Sequence, residues 1–489
     1  MKSKYLKIPV LICLCMTLFF SNANAVNYYV SAGGSDYNNG TSSTSPFQTI
    51  NKGLQMATAG STVYIMNGTY NTTNGPILNI QKSGTSSNYI TFKAYTGHTP
   101  KITASGNVWD AIVVDGSYII IDGLELQGNN ANITYAAAYQ SWQNYENDIK
   151  DWAKIANFNT NCISLGKNSQ VHHITIRNCK VHDFPGAGIG GGKIDYVTIE
   201  NNRVYNNCWY MMYAGSGISI LTPYNYDNST GVKMKIRNNI CYNNKTTIPW
   251  EKTNALSDGN GIILDVNTGF TGRTLVENNV SYNNGGGGVH AYKSDHVDII
   301  NNTAYNNGTV MGWDYPEMDA NQCSDVRFYN NIMYARTGAQ CNGNDSGTYN
   351  YNIYYNGTSY NRGANDIVAD PKFVSKGLDG NANFRLLSTS PAINSGSTTW
   401  GQYSVTDILG ITRPQGSASD RGAYEVATVS NRTPENPSNT VNGLEYKYYE
   451  GTWSALPNFG NLSPSKTGTV NNVDISPRTS EDNFAFRFT

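Results

Sequence analysis

One short segment gathers oxygen donors of the kind that hold a hard cation. SDGNGIILD at 257–265 places Asp258, Asn260 and Asp265 within eight residues. Ca²⁺ prefers carboxylate and amide oxygens as ligands, so the segment is a candidate calcium site. A tight turn at D-G-N-G is the alternative, because glycine and asparagine favour turns.

A second segment, GVHAYK at 288–293, supplies candidate bases. His290 and Lys293 are both able to take a proton from a substrate as general bases. A base paired with a bound cation is a combination that suits proton abstraction next to a carboxylate. For Lys293 the alternative is a turn lysine paired with Asp295.

Aromatic residues crowd the segments beside these groups. Aromatic rings stack on the apolar faces of sugars, and long loops on a rigid scaffold often carry function. The alternative is that these rings only pack the loops onto the scaffold. The candidate sugar-binding residues are Trp209, Tyr213, Trp250, Trp313, Tyr315 and Tyr292, with Trp142 and Trp152 beside them.

A repeat must position all of these residues. A short apolar strand, Asn-Asn, an apolar residue, an aromatic and a second Asn-Asn recur, with first asparagines at Asn178, Asn201, Asn238, Asn278, Asn301 and Asn330. The intervals are 23, 37, 40, 23 and 29 residues, so the shortest is one bare coil and the others carry insertions. A repeated strand-and-turn unit without a long helix predicts an all-β, right-handed parallel β-helix.

Stacked coils would align like residues about 4.8 Å apart. We expect an asparagine ladder along the turns and an aromatic ladder of His182, Tyr205, Tyr242, Tyr282, Tyr305 and Tyr334. Period-two alternation predicts that the residues between the ladders face the core: Val181, Val204, Cys241, Ser281, Ala304 and Met333.

The strands after the insertions align as GIGGGK, GISILT, GIILDV and GVHAYK. Alternation turns Ile189, Ile218, Ile262 and Val289 inward. The outward column then runs Gly190, Ser219, Ile263, His290, and a second column contains Leu221, Asp265 and Tyr292. Asp265 and His290 should therefore lie on the outer face of neighbouring coils.

The ends of the chain differ from the repeat. Residues 1–25, with an apolar run and Ala23-Asn24-Ala25, predict a cleaved signal peptide and a secreted protein. An amphipathic helix around Ile50 should cap the solenoid, and the insertion after Gly123 should form a helix in which Tyr139, Trp142, Ile149 and Trp152 share one face. The β-helix domain spans 26–425, a linker 426–441, and a partial β domain 442–489.

Composition excludes some functions. The formal charge of −1 over 489 residues gives no basic surface for nucleic acid. No span for a membrane follows the signal peptide, and we expect a monomer. The cysteines after residue 25 match no metal-binding spacing, so we expect buried free thiols, with a Cys323–Cys341 disulfide as the alternative.

Residues 26–425 resemble the pectate-lyase superfamily of right-handed β-helix proteins. The resemblance rests on YYVSAGGSDYNNGTSSTSPFQTI, GSTVYIMNGTY, the Asn ladder and SPAINSG…RGAYE. Within it the chain is most similar to polysaccharide lyase family 9, which implies cleavage of pectic chains with Ca²⁺ and a lysine base. Lys293 is the nearest substitute for that lysine. LEYKYYEGTWSALPNF near the C-terminus resembles the start of a PA14 domain.

Three functions follow from these residues. The first is calcium-assisted β-elimination of an acidic polysaccharide of the pectic class by Lys293 or His290. The second is glycoside hydrolysis, with Asp265 and one of Asp258, Asp314 or Glu317 as the carboxyl pair. The third is non-catalytic glycan binding at a surface.

Overall fold

The computed structural model describes residues 25–311, 315–399, 404–427, 443–453 and 456–489. Chain contacts divide it into two compact units, 1–428 and 429–489. Within the described part of the first unit, each coil contributes one strand to each of three long parallel sheets. The predicted parallel β-helix is therefore confirmed.

Along the chain, each coil passes from the first sheet to the third sheet and then to the second sheet. The strands of the second sheet are Leu78–Ile80, Asp110–Val114, Asn161–Leu165, Ile189–Gly191, Ile218–Leu221, Ile262–Asp265, Val289–Tyr292, Met318–Asn321, Gln340–Asn342 and Thr358–Ser359. The first sheet consists of Asn27–Val30, Thr62–Ile65, Ile90–Ala94, Ile119–Asp122, Val171–Arg177, Ile194–Glu200, Val232–Arg237, Arg273–Glu277, Val297–Ile300, Val326–Tyr329 and Thr348–Asn350. The third sheet consists of Thr69–Asn74, Lys101–Asn107, Glu125–Gln127, Lys180–His182, Arg203–Tyr205, Ile240–Tyr242, Val280–Tyr282, Thr303–Tyr305, Ile332–Tyr334, Ile353–Tyr355 and Ile367–Val368.

The core lies between the sheets and follows the predicted alternation. Ile189, Ile218, Ile262 and Val289 are fully buried in the second sheet. The predicted core residues of the third sheet, from Val181 to Met333, are buried as well. Because neighbouring coils present the same residue position to the same place, each apolar side chain packs on its equivalents above and below.

Two asparagine ladders run through the turns, formed by the second asparagine of each pair, so the predicted asparagine ladder is confirmed. The first asparagine of each pair adopts a left-handed backbone, as Asn201 (φ 57°) and Asn278 (φ 55°) do. The second asparagine is buried, and its side-chain Oδ1 accepts a hydrogen bond from the backbone N–H of the equivalent residue one coil earlier. One ladder runs Asn202, Asn239, Asn279, Asn302, Asn331, Asn352 and the other Asn207, Asn244, Asn284, Asn307.

Each ladder begins and ends on a different residue type. Cys179 precedes the first ladder and donates its N–H to Asn202 Oδ1 at 2.9 Å, as expected for a replaced asparagine. At the other end Asn352 N–H donates to Asp366 Oδ1 at 2.6 Å, and in the second ladder Asn307 N–H donates to Glu317 Oε1 at 2.9 Å. Acidic side chains thus supply the last acceptor of both ladders.

The predicted aromatic ladder is confirmed. His182 stacks on Tyr205 with ring centroids 4.8 Å apart, and Tyr205–Tyr242 and Tyr242–Tyr282 follow at 4.8 and 4.9 Å. Beyond Phe384, which packs on Tyr282, the column continues with Tyr305 and Tyr334 in an edge-on contact at 5.0 Å. These rings form the outer wall of the third sheet.

The helices lie at one end and one side of the β-helix. Ile50–Met56, with Thr49 as its N-cap, covers the first coil as predicted. The insertion after Gly123 forms two helices, Tyr135–Glu146 and Trp152–Asn159, instead of one. Ile149 lies between them and is exposed, so the prediction that it shares an apolar face with Tyr139 and Trp142 is wrong.

The insertions enter at one edge, as the sequence predicts. Residues 128–160, 206–217, 243–261 and 306–317 each connect a third-sheet strand with the next second-sheet strand. They therefore gather beside the second sheet, where the candidate catalytic residues lie.

The second unit is a small antiparallel sheet. Its described strands are Leu444–Glu450, Lys466–Val470 and Phe484–Phe488, with the first in the middle. The resemblance to a PA14 domain stays a prediction.

The six cysteines in the described residues are free and buried, which excludes the alternative disulfide there. The predicted signal peptide lies outside the described residues, apart from Ala25. None of the helices that the structure describes is long and apolar enough to cross a membrane.

Candidate active site

The outer face of the second sheet brings the candidate residues onto neighbouring rungs. Ile263 pairs with His290, which pairs in turn with Asp319. The parallel column two residues later places Asp265 beside Tyr292. The predicted alignment is confirmed, and it extends one coil further to Asp319.

His290 and Asp319 form a buried hydrogen-bonded pair. The Nδ1 atom of His290 lies 2.6 Å from Oδ1 of Asp319, and the two residues are 9% and 6% exposed. Burial alone would lower the pKa of His290, but the charge and hydrogen bond of Asp319, together with Asp258 and Asp265, raise it. With Nδ1 directed at Asp319, Nε2 is the nitrogen left for a substrate.

Asp258 and Asp265 are half-buried carboxyl groups that lack partners. Burial, and next the negative charge of Asp265, raises the pKa of Asp258 to about 6. Burial raises the pKa of Asp265 as well, against the attraction of His290 and Lys293. Among the described residues neither carboxyl group accepts a hydrogen bond or forms an ion pair. Two such groups in one place create a demand for positive charge.

Tyr315 and Tyr292 complete the wall around His290. The ring centroid of Tyr315 lies 5.7 Å from that of His290, and Tyr292 lies at 6.2 Å. Burial, followed by the charges of Asp319 and Asp258, raises the pKa of Tyr315 well above its usual value. A raised pKa favours the protonated phenol of Tyr315, whose O–H can donate a hydrogen bond.

A groove with a volume of about 350 Å³ is lined by His290, Asp319, Tyr292 and Tyr315. Beyond Asp319 its walls continue along the next coil and are rich in amide and carboxyl groups, including Asn321, Asn344 and Asp345. A groove lined by such groups offers many hydrogen-bonding partners to sugar hydroxyls.

Lys293 follows the same strand but points along Tyr292. Its Nζ lies 5.0 Å from the Tyr292 ring centroid, and its backbone is left-handed (φ 46°). The alternative pairing with Asp295 is wrong, because the carboxylate of Asp295 accepts hydrogen bonds from Ser324 instead. Lys293 is not among the residues that line the groove.

The side-chain amide of Asn260, a candidate metal ligand, is hydrogen-bonded within the protein. It is fully buried, its Oδ1 accepts the N–H of Gly287 at 2.8 Å, and its Nδ2 donates to Ser216. The amide thus fastens the turn before one strand of the second sheet to the turn before the next. The D-G-N-G turn and the candidate ligand Asp258 therefore coexist in this segment.

The other aromatic candidates lie elsewhere. Tyr213 packs between Trp109 and Tyr145, at 6.0 and 6.1 Å, among residues that join the helices to the β-helix. Trp250 closes a turn onto Ala255. Trp209 donates its Nε1–H to the Asn243 carbonyl. None of these lines the groove, while Trp313 and Asp314 lie outside the described residues.

Asp258 and Asp265 could supply only some of the oxygen ligands that a calcium ion needs. Within the described chain no three His, Cys, Asp or Glu side chains are arranged to share a metal ion. Asp258 and Asp265 are nevertheless unpartnered carboxyl groups whose pKa values are raised, and a cation would relieve both. Since Ca²⁺ takes six to eight oxygens, a substrate and water would have to complete its coordination.

Sequence reasoning missed Asp319. The alignment relied on a glycine at the start of each strand, and the corresponding coil begins with Glu317 instead. The alternation in Met318-Asp319-Ala320 was the available signal: Met318 and Ala320 face inward, which leaves Asp319 beside His290.

Comparison with known proteins shows which family the chain is similar to. The family model described as "Pel9A-like, right handed beta helix region" matches residues 28–322. Pectate lyase PEL9 of Emericella nidulans is 37% identical over 109 residues, which are 22% of this chain and 21% of that protein. The crystal structure of pectate lyase Pel9A has a TM-score of 0.51 and 20% identity, and the alignment covers 82% of this chain and 96% of that one. A rhamnogalacturonan lyase aligns over 72% and 91% of the two chains with a TM-score of 0.42 and 16% identity.

Proposed function

Because the chain belongs to the Pel9A-like right-handed β-helix family, we propose that it is a polysaccharide lyase. Its substrate would be an acidic polysaccharide of the pectic class, cleaved by β-elimination. The observation that carries the proposal is the buried His290–Asp319 pair, flanked by Asp258 and Asp265 on the outer face of the second sheet. A base beside a demand for positive charge is what removal of a proton next to a carboxylate requires.

His290 is the proposed base. Asp319 accepts the Nδ1–H of the imidazole at 2.6 Å and holds the ring in the tautomer that leaves a lone pair on Nε2. The same contact stabilises the imidazolium once the proton has been taken. Lys293 is the second candidate, and its position along Tyr292, outside the groove lining, makes it the weaker one.

The elimination balances with groups at this site. Nε2 of His290 takes the C5 proton of a uronate, the C–H electrons form the C4–C5 double bond, and the C4–O4 bond breaks. The departing oxygen takes a proton from the phenol of Tyr315, which burial keeps protonated. The products are an unsaturated uronate and a new sugar end.

Calcium fits this proposal through the negative charge around His290. Asp319 lines the groove, and Asp258 and Asp265 interact electrostatically with His290, so a cation would offset the repulsion of an anionic polymer by these three groups. Asp258 and Asp265 would hold Ca²⁺, which when bound would neutralise the uronate carboxylate and the charge that develops there. Asn260 would support that turn through its buried amide.

The test compares two variants on pectic, alginate and glycosaminoglycan chains. Ultraviolet absorbance of the unsaturated product should rise for the wild-type chain and stop when a chelator is added. His290→Ala should lose at least 10²-fold in rate, the usual contribution of a general base, while Lys293→Ala keeps most of it. Equal loss in both variants, or loss in Lys293→Ala alone, would remove His290 as the base.

A second candidate function rests on the pKa of Asp258. A carboxyl group with a pKa of about 6 beside Asp265 has the properties of a general acid in glycoside hydrolysis. Such an enzyme would release reducing ends without ultraviolet absorbance. Binding without either product would favour the third reading, a glycan-binding surface protein.

The remaining parts of the proposal concern the whole chain. We propose secretion, with residues 1–25 as the cleaved leader, and action as a monomer on a polysaccharide. Residues 26–425 would form the catalytic domain, 426–441 a linker, and 442–489 a PA14-like unit. Mass spectrometry of the mature N-terminus and light scattering would test the leader and the monomer.

A further inference from the structure

Lys245 is a half-buried cation without a counter-ion. In the part of the chain that the structure describes, its Nζ forms no ion pair and no hydrogen bond with the protein. Its one partner is the ring of Trp209, whose centroid lies 5.1 Å away. Burial lowers the pKa of Lys245, and no neighbouring carboxylate offsets that effect. Placing a cation out of water without a partner is costly, so an anion that arrives there is bound favourably.

The lysine lies at the edge of the second sheet where the candidate site begins. A Cβ built on Gly259 would be 2.8 Å from the Cα of Lys245, so the residue next to Asp258 rests on the lysine backbone. On the following coil, a Cβ on Gly285 would be 2.5 Å from the Lys245 Cβ. Glycines thus cover the stem of Lys245, and no larger side chain from those positions lies over it.

Trp209 is held in place for this contact. Its Nε1–H donates to the carbonyl of Asn243 at 2.9 Å, and its own carbonyl accepts the hydroxyl of Thr247. Asn243 and Thr247 lie two residues before and two residues after Lys245, so these hydrogen bonds hold the Trp209 ring beside the segment that carries Lys245. An aromatic ring beside an ammonium group matches a uronic acid, which combines an apolar ring face with a carboxylate.

We propose that Lys245 and Trp209 form a subsite for a uronate residue of the bound polymer. The proposal rests on the proposed function for the identity of the polymer. In it, Lys245 binds the carboxylate of that sugar and Trp209 contacts its ring. The subsite would set specificity for a polymer with adjacent acid groups over an esterified one.

The experiment measures binding without turnover. Calorimetry in calcium buffer would titrate a saturated trigalacturonate, and separately its methyl ester, into the His290→Ala chain with and without Lys245→Met. Methionine keeps the stem that packs on Trp209 and Gly285. Affinity for the acid should fall about tenfold, the scale of one hydrogen-bonded charge, and affinity for the ester should not change. Lys245→Arg should keep most of the affinity.

Lys252 provides a matched control. It is exposed and lies 5.3 Å from the ring of Trp250, on the same insertion, so Lys252→Met removes an equivalent cation–π contact. This variant should bind the acid as tightly as its parent. An equal loss in both lysine variants, an equal loss for acid and ester, or no binding of the acid by the parent would overturn the proposal.

The outcome separates the subsite from the proposed function. If the wild-type chain releases no unsaturated product but Lys245→Met still weakens acid binding, the lyase proposal fails and the subsite stands. If product forms and Lys245→Met binds the acid normally, the subsite fails and the lyase proposal stands. Melting temperatures of the Lys245 variants should be no lower than that of their parent, because the lysine has no ion pair to lose and its burial without a partner is unfavourable.

Discussion

Replacing Asp258 with asparagine should stabilise the protein at neutral pH in the absence of calcium. The pKa of Asp258 is raised from 3.8 to about 6 in the folded chain. A raised pKa means that the folded state binds the proton more tightly than the unfolded state, so stability is lost as the pH rises from about 4 to about 6. Two pKa units correspond to about 3 kcal/mol, and partial exposure of Asp258 makes this an upper value.

Urea unfolding at pH 3.5 and pH 7, with chelator present, measures the effect. At pH 3.5 the carboxyl group is protonated in the folded state and mostly protonated in the unfolded state, so Asp258→Asn and wild type should differ little. At pH 7 the variant should be more stable, by up to about 3 kcal/mol. A variant that is less stable than wild type at pH 7, or equally stabilised at both values, would refute the assignment of an unpartnered carboxylate.

Calcium should remove most or all of the difference in stability between the two proteins. If Asp258 and Asp265 hold the ion, calcium at a hundred times its dissociation constant adds about 2.7 kcal/mol to wild type. Asp258→Asn has lost one of the two carboxylates and should gain much less. Equal gains in the two proteins would show that calcium binds elsewhere, and no gain in either would remove the ion from the proposal.

Three further substitutions test the scaffold and the base. Asp319→Asn should lower kcat about 10²-fold or more and move the acid limb of the pH–rate profile to lower pH, because the carboxylate raises the pKa of His290; an unchanged limb would contradict the pairing. Asn302→Ala removes buried side-chain hydrogen bonds in the middle of a ladder and should cost about 3 kcal/mol in urea unfolding; a cost below 1 kcal/mol would contradict a cooperative ladder. Gly191→Ala places a Cβ 1.9 Å from the Leu165 carbonyl oxygen and should lower the melting temperature by several degrees, whereas Gly33→Ala meets no atom within 4 Å and should not.

The repeat was readable from the sequence because each coil repeats the same local rules. Alternation fixed which side of every strand faces inward, and the registers of the second and third sheets follow it at Ile262 and Val204. The sequence predicted an asparagine ladder but not which member of each Asn-Asn pair forms it, since both have the right composition. Only the backbone decides: the first takes the left-handed conformation, and this turns the second inward.

The candidate site was predictable only in part. Asp265, His290 and Tyr292 lie on regular strands, so counting residues was enough to bring them together. Lys245 and Tyr315 belong to insertions of irregular length, and no period connects them with the strands. Trp209 and Tyr213 show the same limit, because composition marks an aromatic side chain but does not say whether it packs on a helix or faces a groove.

The acidic ends of the two ladders define where each ladder stops. An asparagine passes the pattern on, because its side chain accepts from one coil while its backbone N–H needs an acceptor on the next. Glu317 and Asp366 supply that acceptor from outside the repeat, so no further asparagine is required. The second ladder ends first, because strands of all three sheets still follow Glu317, as far as Ile367–Val368. The two turns of a coil are therefore terminated independently, and lengthening either ladder would mean inserting whole coils before its acidic residue.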